Sequence, residues 1–219
     1  MFTTTIIRKS LILLGLILTT ACGSSMRPGA EGILFVPAPK TDGNPVIEVD
    51  DIILFATNEI YMGNLAQYAP SGSLNRARDG ADVLCNQYKI AAWNDREVHA
   101  LIAVDINDSL INMPKIFNIP TDQKIVGDTG VEIAKQWSDL LDSSIEVTLQ
   151  HAVKDLSGTE AYWTGALKNG STDSTDNCSN WTSVTGTGRT GFATYDTAEW
   201  LSAKSNPCDV AKQILCVAF

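Results

Sequence analysis

Basic side chains, histidines and long apolar runs are all scarce in this chain, and each shortage removes a class of function. The 219 residues carry 16 Lys and Arg against 25 Asp and Glu, a net charge of −9. That balance argues against nucleic acid, heparin-like polyanions and acidic lipid as dominant partners. Only two histidines occur, His99 and His151. A hydrolytic site needs a nucleophile, a base and an orienting acid. His99 sits in an apolar stretch and reads as a structural side chain, and His151 follows a strand end and reads as exposed. No Gly-x-Ser-x-Gly is present. No catalytic residue is therefore assigned, and the chain is not expected to be an enzyme. No Cys-x-x-Cys occurs and neither histidine is near a cysteine in sequence, so neither a metal site nor a cofactor is expected. Gly186-x-Gly188-x-x-Gly191 has the dinucleotide spacing but lacks the strand-to-helix context. Asp173 and Asp176 lack the glycine and final glutamate of an EF-hand loop. No internal repeat is visible.

What is present begins with an address. Residues 1–10 carry Arg8 and Lys9 and no acid, and residues 11–18 (LILLGLIL) are apolar. That run is too short for a membrane span of roughly 20 residues. Thr19-Thr20-Ala21 then precedes Cys22. The arrangement resembles a lipobox, with Thr19 where leucine is usual. Residues 1–21 are thus expected to be a lipoprotein signal peptide, with Cys22 as the lipid attachment site. More than one acyl chain there gives a stable membrane anchor. Residues 22–50 read as a flexible tether, with Pro28, Pro37, Pro39 and Pro45 among Gly29, Gly32 and Gly43. The apolar stretch at residues 33–36 is expected to dock on the domain.

Residues 51–219 read as one α+β domain. Residues 52–56 form a strand-length apolar run. From Arg76 the period changes: Ala77, Ala81, Leu84, Cys85 and Tyr88 share one helical face. Residues 98–104 read as a buried strand. A second helix is expected over residues 131–141, where Val131, Ile133, Ala134, Trp137, Leu140 and Leu141 are apolar. Residues 144–149, 161–167 and 213–219 read as strands. A Ser/Thr/Asn/Gly/Asp-rich stretch runs from 168 to 190, and so long a loop in a compact domain is functional, pinned or mobile.

Four cysteines follow Cys22, and spacing alone does not choose among their three pairings. Their environments do. Cys85 lies on an apolar helix face and Cys216 in an apolar strand, whereas Cys178 and Cys208 lie in polar loop sequence. Pairing like with like gives Cys85–Cys216 and Cys178–Cys208. Such disulfides suit an exported protein.

This plan resembles the C-type lectin-like fold, and more closely its endostatin-like variant. The likeness rests on Gly80-Ala81-Asp82-Val83-Leu84-Cys85, Trp163-Thr164-Gly165, Cys178-Ser179-Asn180-Trp181-Thr182, Thr190-Gly191-Phe192-Ala193, Cys208 and Ile214-Leu215-Cys216-Val217. It covers residues 63–219 and is least specific over 99–161. With the lipobox, the whole looks like the leptospiral endostatin-like outer-membrane lipoproteins. The resemblance implies a C-type lectin-like domain with two helices, mixed short-stranded sheets and two disulfides. It implies a bacterial outer-membrane, surface-exposed adhesin that binds host extracellular-matrix proteins such as laminin and fibronectin, plasminogen or complement regulators. The alternatives are an envelope lipoprotein with no host ligand and a glycan-binding lectin.

Several family features are missing. No proline lies between Trp163 and Cys178, so the calcium-lectin loop is not present, and Trp93-Asn94-Asp95 falls too early to serve it. Endostatin's clustered arginines and zinc-binding histidines have no counterpart here. The candidate contact surface is the 168–190 loop, with Asp173, Asp176, Asn180, Trp181 and Arg189. Trp163, Trp181 and Trp200 otherwise suit core or disulfide packing.

Overall fold

The computed structural model describes residues 46–156 and 161–219. The leader, Cys22 and the apolar stretch at residues 33–36 lie outside the described residues. Among those described, no helix is long and apolar enough to cross a membrane. Eight strands form one mixed sheet: β1 (Ile52–Ala56), β2 (Val98–Ala100), β3 (Ile125–Gly127), β4 (Glu132–Ala134), β5 (Ala161–Trp163), β6 (Thr187–Phe192), β7 (Lys204–Pro207) and β8 (Gln213–Ala218). Four helical segments accompany them: α1 (Arg76–Gln87), α2 (Met113–Phe117), α3 (Leu149–Ala152) and α4 (Cys178–Trp181).

The sheet runs in the order β4-β3-β1-β8-β5-β6-β7. β8 lies at its centre. One side of β8 pairs antiparallel with β1, from Ala56↔Leu215 to Ile53↔Ala218. The other side is shared. Gln213 and Ile214 pair parallel with β5, and Cys216 to Ala218 pair antiparallel with β2. Both faces of this centre are covered. Ile52, Leu54, Leu215 and Val217 join one apolar cluster, and Ile53, Phe55, Ile214 and Cys216 join the other. This explains why β1 and β8 are continuous apolar runs: alternation is needed only where one face meets water.

α1 covers the second face with Ala77, Ala81, Leu84 and Cys85, the face its period predicts. The Asn75 side chain accepts from the Arg78 N–H and starts the helix, and Asp79 in the first turn suits the helix dipole. Gly80 interrupts a good helical sequence for a steric reason. A Cβ there would sit 2.1 Å from the Leu65 carbonyl oxygen, so only glycine lets α1 press against the 3-10 turn Leu65–Tyr68. Met113, Trp137, Leu140, Leu149 and Ala152 cover the opposite face.

The structure joins Cys85 to Cys216 and Cys178 to Cys208. The first bridge ties α1 to the central strand. The second ties the polar loop to the end of β7.

Several expected elements differ. Residues 131–141 are not a helix. They form β4, then the 3-10 turn Trp137–Leu141. Gly127-Asp128-Thr129-Gly130 makes a turn, with Gly130 at φ 85° and its N–H on the Gly127 carbonyl. That turn sends the chain back along β3, where Ile125 faces Ala134. The apolar positions 131, 133, 137, 140 and 141 satisfy a strand followed by a short helical turn as well as they satisfy one helix. Of the two expected helices only the first forms, and among the described residues three further short segments, α2, α3 and α4, accompany it beside four 3-10 turns. The unexpected α2 has Pro114 in its first turn and Asn118 at φ 55° after its last residue, both ordinary helix boundary signals.

Residues 98–104 pair only as far as Ala100. Leu101 still donates to Leu215, but Ala103 turns to the Thr164 carbonyl. Residues 144–149 are not a strand either. Ser144 makes one bridge to Thr197, Ile145 donates to Asp196, and Glu146 donates to Ile133, so the segment is divided between two neighbours. The strand expected over 161–167 ends at Trp163, because Gly165 takes φ 61°.

Candidate binding surface

The loop at residues 168–190 is long and polar, yet it is held at many points. Its centre is α4, a left-handed turn. Cys178, Ser179, Asn180 and Trp181 have φ values of 52°, 55°, 54° and 60°. Four successive L-residues in this region are costly, and surrounding contacts must hold them there. The contacts are evident. Cys178 is bonded to Cys208. The Asn177 side chain accepts from the Asn180 N–H at 3.1 Å and donates to the Asn180 side-chain oxygen at 2.8 Å. The Trp181 indole N–H donates to the Ala103 carbonyl at 2.8 Å, and its ring meets Trp163 edge-on at 5.5 Å. Gly165 makes room for this ring: a Cβ there would lie 2.7 Å from it and 2.4 Å from the Ala103 oxygen.

Arg189 organises the outer part of the loop. It donates to Asp173 from Nε at 2.9 Å and from Nη2 at 2.6 Å, and Nη2 also reaches Asp176 at 2.9 Å. Thr187 and Ser205 hydroxyls donate to Asp176 as well. Burial pushes the Asp173 carboxyl up, but Arg189 and the Thr175 and Asp176 donors outweigh it and hold it at about 2. The charges of Asp173 and Arg189 are thus used largely within the loop.

Of the five expected contact residues, Asp173, Asp176 and Arg189 are brought together. Asn180 stands exposed on the turn. Trp181 is corrected: it is fully buried and packs on Trp163, so it supports the loop and offers nothing to a partner. Asp173 is corrected likewise, being buried and saturated by hydrogen bonds. Trp163 and Trp200 are also fully buried. The outward surface is made by Asn169, Ser174, Ser179, Asn180, Val184 and Thr185.

Sequence reasoning missed the second anchor of this surface, an ion-pair chain on α1. Arg78 is buried on the inner face of the helix. It donates to Asp108 from Nε at 3.0 Å and Nη2 at 2.7 Å, and to the Ala100 and Ile102 carbonyls at 2.6 Å each. Asp82, one turn on, lies 3.7 Å from Arg78 and accepts from the Ala100 N–H at 2.8 Å. Its other oxygen meets His99 Nδ1 at 2.7 Å, and His99 Nε2 meets Glu97 at 3.0 Å. Burial disfavours the imidazolium, but Asp82 and Glu97 outweigh it and raise His99 above its ordinary value. Both ring nitrogens face carboxylates, and the ring stacks on Phe117 at 3.8 Å. His99 is thereby committed to structure. One signal was legible: Arg78 and Asp82 stand four apart on a helix. Asp108, thirty residues away, gave none.

The two anchored regions touch. The Thr172 hydroxyl donates to the Asp105 carbonyl at 2.5 Å. Residues 105–108 and the 168–190 loop are therefore neighbours, joined at Thr172 and Asp105. Among the described residues, no group of three His, Cys, Asp or Glu side chains is arranged to hold a metal ion. Compared with known proteins, the chain matches no family model and no curated protein sequence.

Proposed function

We propose that this chain is a lipid-anchored surface protein whose C-type lectin-like, endostatin-like domain binds host extracellular-matrix proteins, plasminogen or complement regulators. The observation that carries this reading is the 168–190 loop, which keeps a polar outer surface while a disulfide, a tryptophan pair and an arginine–carboxylate cluster hold it from beneath. A surface already ordered before contact loses less freedom on binding. The fold assignment draws support from the bridge between α1 and the last strand and from the shorter bridge near the C-terminus. The address draws support from the basic start, the apolar core and the small residues before Cys22. Cys22 then attaches the domain to a bacterial outer membrane, facing outward. The role assigned is binding, without a catalytic step, a cofactor or a nucleic-acid partner.

Protease treatment of intact cells tests the address. Loss of the domain with the cells unbroken is expected, and survival of the domain would favour the envelope lipoprotein without a host ligand. A chelator-sensitive melting temperature together with a glycan-array signal would favour the lectin.

A further inference from the structure

One concavity gathers apolar side chains from both sides of the α2 region. Ile111 and Pro114 line it from α2 and the residues before it, and Trp137 and Leu141 line it from the 3-10 turn that follows β4. It encloses about 600 Å³, within the usual size of a small-molecule site. Ile111 is 49 % exposed, whereas Trp137 is buried. Covering such apolar surface is favourable because water is released from it.

The concavity is assembled without help from a ligand. The Trp137 backbone N–H donates to the Thr121 carbonyl at 3.1 Å, and its indole N–H donates to the Leu110 carbonyl at 3.1 Å. One residue thus ties the 3-10 turn to the chain on either side of α2. Leu141 packs close to Gly170, where a Cβ would lie 2.6 Å from its Cδ2. Pro114 adds apolar surface in the first turn of α2 and has no N–H to leave unpaired. A site already in place loses less freedom when it is filled.

Its charge differs in sign from that of the whole chain. Lys115 is the one charged side chain in the lining. Among the described residues the lysines in ion pairs are Lys124, Lys135 and Lys168, so Lys115 has no carboxylate partner. Asp139 lies on the same 3-10 turn as Trp137, but it accepts from the Gln136 amide at 2.9 Å and the Ser138 hydroxyl at 3.1 Å and lines a separate concavity. Asp122, beside Thr121, is exposed and outside the lining. On a chain of net charge −9, this concavity therefore sets apolar side chains beside an unopposed cation. A wholly apolar ligand leaves Lys115 unused, and a cationic one is repelled by it. An apolar body with one anionic head complements both features. A stable protein partner covers roughly 800 Å² on each side, a wider contact than a concavity of small-molecule size offers.

We infer that the groove between α2 and the 3-10 turn Trp137–Leu141 binds a small amphiphile with an aliphatic chain and one anionic head, of the class of medium-chain carboxylates. The chain lies along Ile111, Pro114, Trp137 and Leu141, and the head meets the Lys115 ammonium. The inference is independent of the host-protein reading, and each stands if the other fails.

The test is isothermal titration of the full chain at physiological salt with octanoate, decanoate and decyltrimethylammonium, each below its micelle concentration. Ile111→Ser and Lys115→Glu are compared with the wild type. Lys154→Glu is the control, an exposed lysine that lines another concavity. Unchanged near-ultraviolet circular dichroism establishes that each variant is folded. One decanoate per chain is expected to bind saturably, about tenfold tighter than octanoate, since each buried methylene contributes about three- to fourfold. Decanoate binds about threefold or more tighter than decyltrimethylammonium. Lys115→Glu removes or reverses that preference, and Lys154→Glu keeps it, the size being that of an exposed charge pair. Ile111→Ser weakens both ligands by about threefold or more. Many weak sites per chain, equal binding of the two head groups, or binding that Ile111→Ser and Lys115→Glu leave intact would overturn the inference. So would a concentration-dependent dimer abolished by Ile111→Ser, which gives the groove to a second copy of the chain. Phosphatidylglycerol vesicles added as competitor identify the source: displacement of decanoate assigns the ligand to membrane lipid, and its persistence assigns it to a free carboxylate. Either result upholds the same chemistry.

Discussion

A guanidinium that is 3 % exposed depends on the protein alone for its hydrogen bonds. Arg78 meets that need with Asp108, Asp82 and two backbone carbonyls, and the same bonds hold residues 100–108 against α1. Replacing it by methionine leaves Asp108 buried without its partner. Arg78→Met should therefore cost about 3–5 kcal/mol in urea unfolding, the usual result of breaking one side of a buried pair. Arg78→Lys should recover only part of this, because an ammonium lacks the fork that meets Asp108 twice. At His99 the folded state raises the pKa above 6.5 through Asp82 and Glu97. The contribution of the protonated ring is then fully present below the unfolded value and is lost as pH rises through the raised one. Urea midpoints should fall as pH rises from about 6.5 through the raised folded value, and His99→Gln should remove most of that slope. In the sequence, His99 reads as structural, and Arg78 shows only its spacing of four from Asp82. The other partners, Asp108 and the Ala100 and Ile102 carbonyls for Arg78 and Glu97 for His99, are brought near by the fold.

At the scale of elements, β1, α1 and β8 were legible because pattern and environment agree. Two are short apolar runs buried on both faces, and the third keeps a helical period from Ala77 to Cys85. β4 was not legible, because Gly127 and Gly130 reverse the chain where the apolar spacing also fits a helix. The left-handed turn at α4 was equally invisible, since it is imposed by the Cys178–Cys208 bridge and the buried Trp181. The cysteines themselves were informative: the two in apolar settings are joined, and so are the two in polar ones. The bridges close segments of 30 and 131 residues, which the chain-entropy model values at about 3.5 and about 5 kcal/mol. Their loss should show different patterns. In hydrogen exchange, Cys178→Ser/Cys208→Ser should loosen mainly residues 168–190 and the end of β7. Cys85→Ser/Cys216→Ser should lower protection throughout the central sheet. Matching patterns from the two variants would contradict the assignment of the shorter bridge to the loop.

For the whole molecule, an acidic domain presents a pinned loop surface on a twice-bridged sheet, and the leader ahead of it is proposed to be a lipid address. The candidate contact residues were partly legible: Asn180 stands exposed, Asp176 and Arg189 are half-buried and paired with each other, and Trp181 and Asp173 work underneath. Composition indicated a polar loop there, but burial within it depends on the bridge and on Trp163, which composition does not reveal. The central claim is that this pinned surface binds host proteins. The most direct measurement is binding of the purified full chain to a panel of laminin, fibronectin, plasminogen and complement regulators, at low and at physiological salt, beside Cys178→Ser/Cys208→Ser. The account predicts about micromolar or tighter binding to at least one panel member, retained at physiological salt and weakened in the variant. Absence of binding across the panel, or a signal that vanishes at physiological salt, would contradict it.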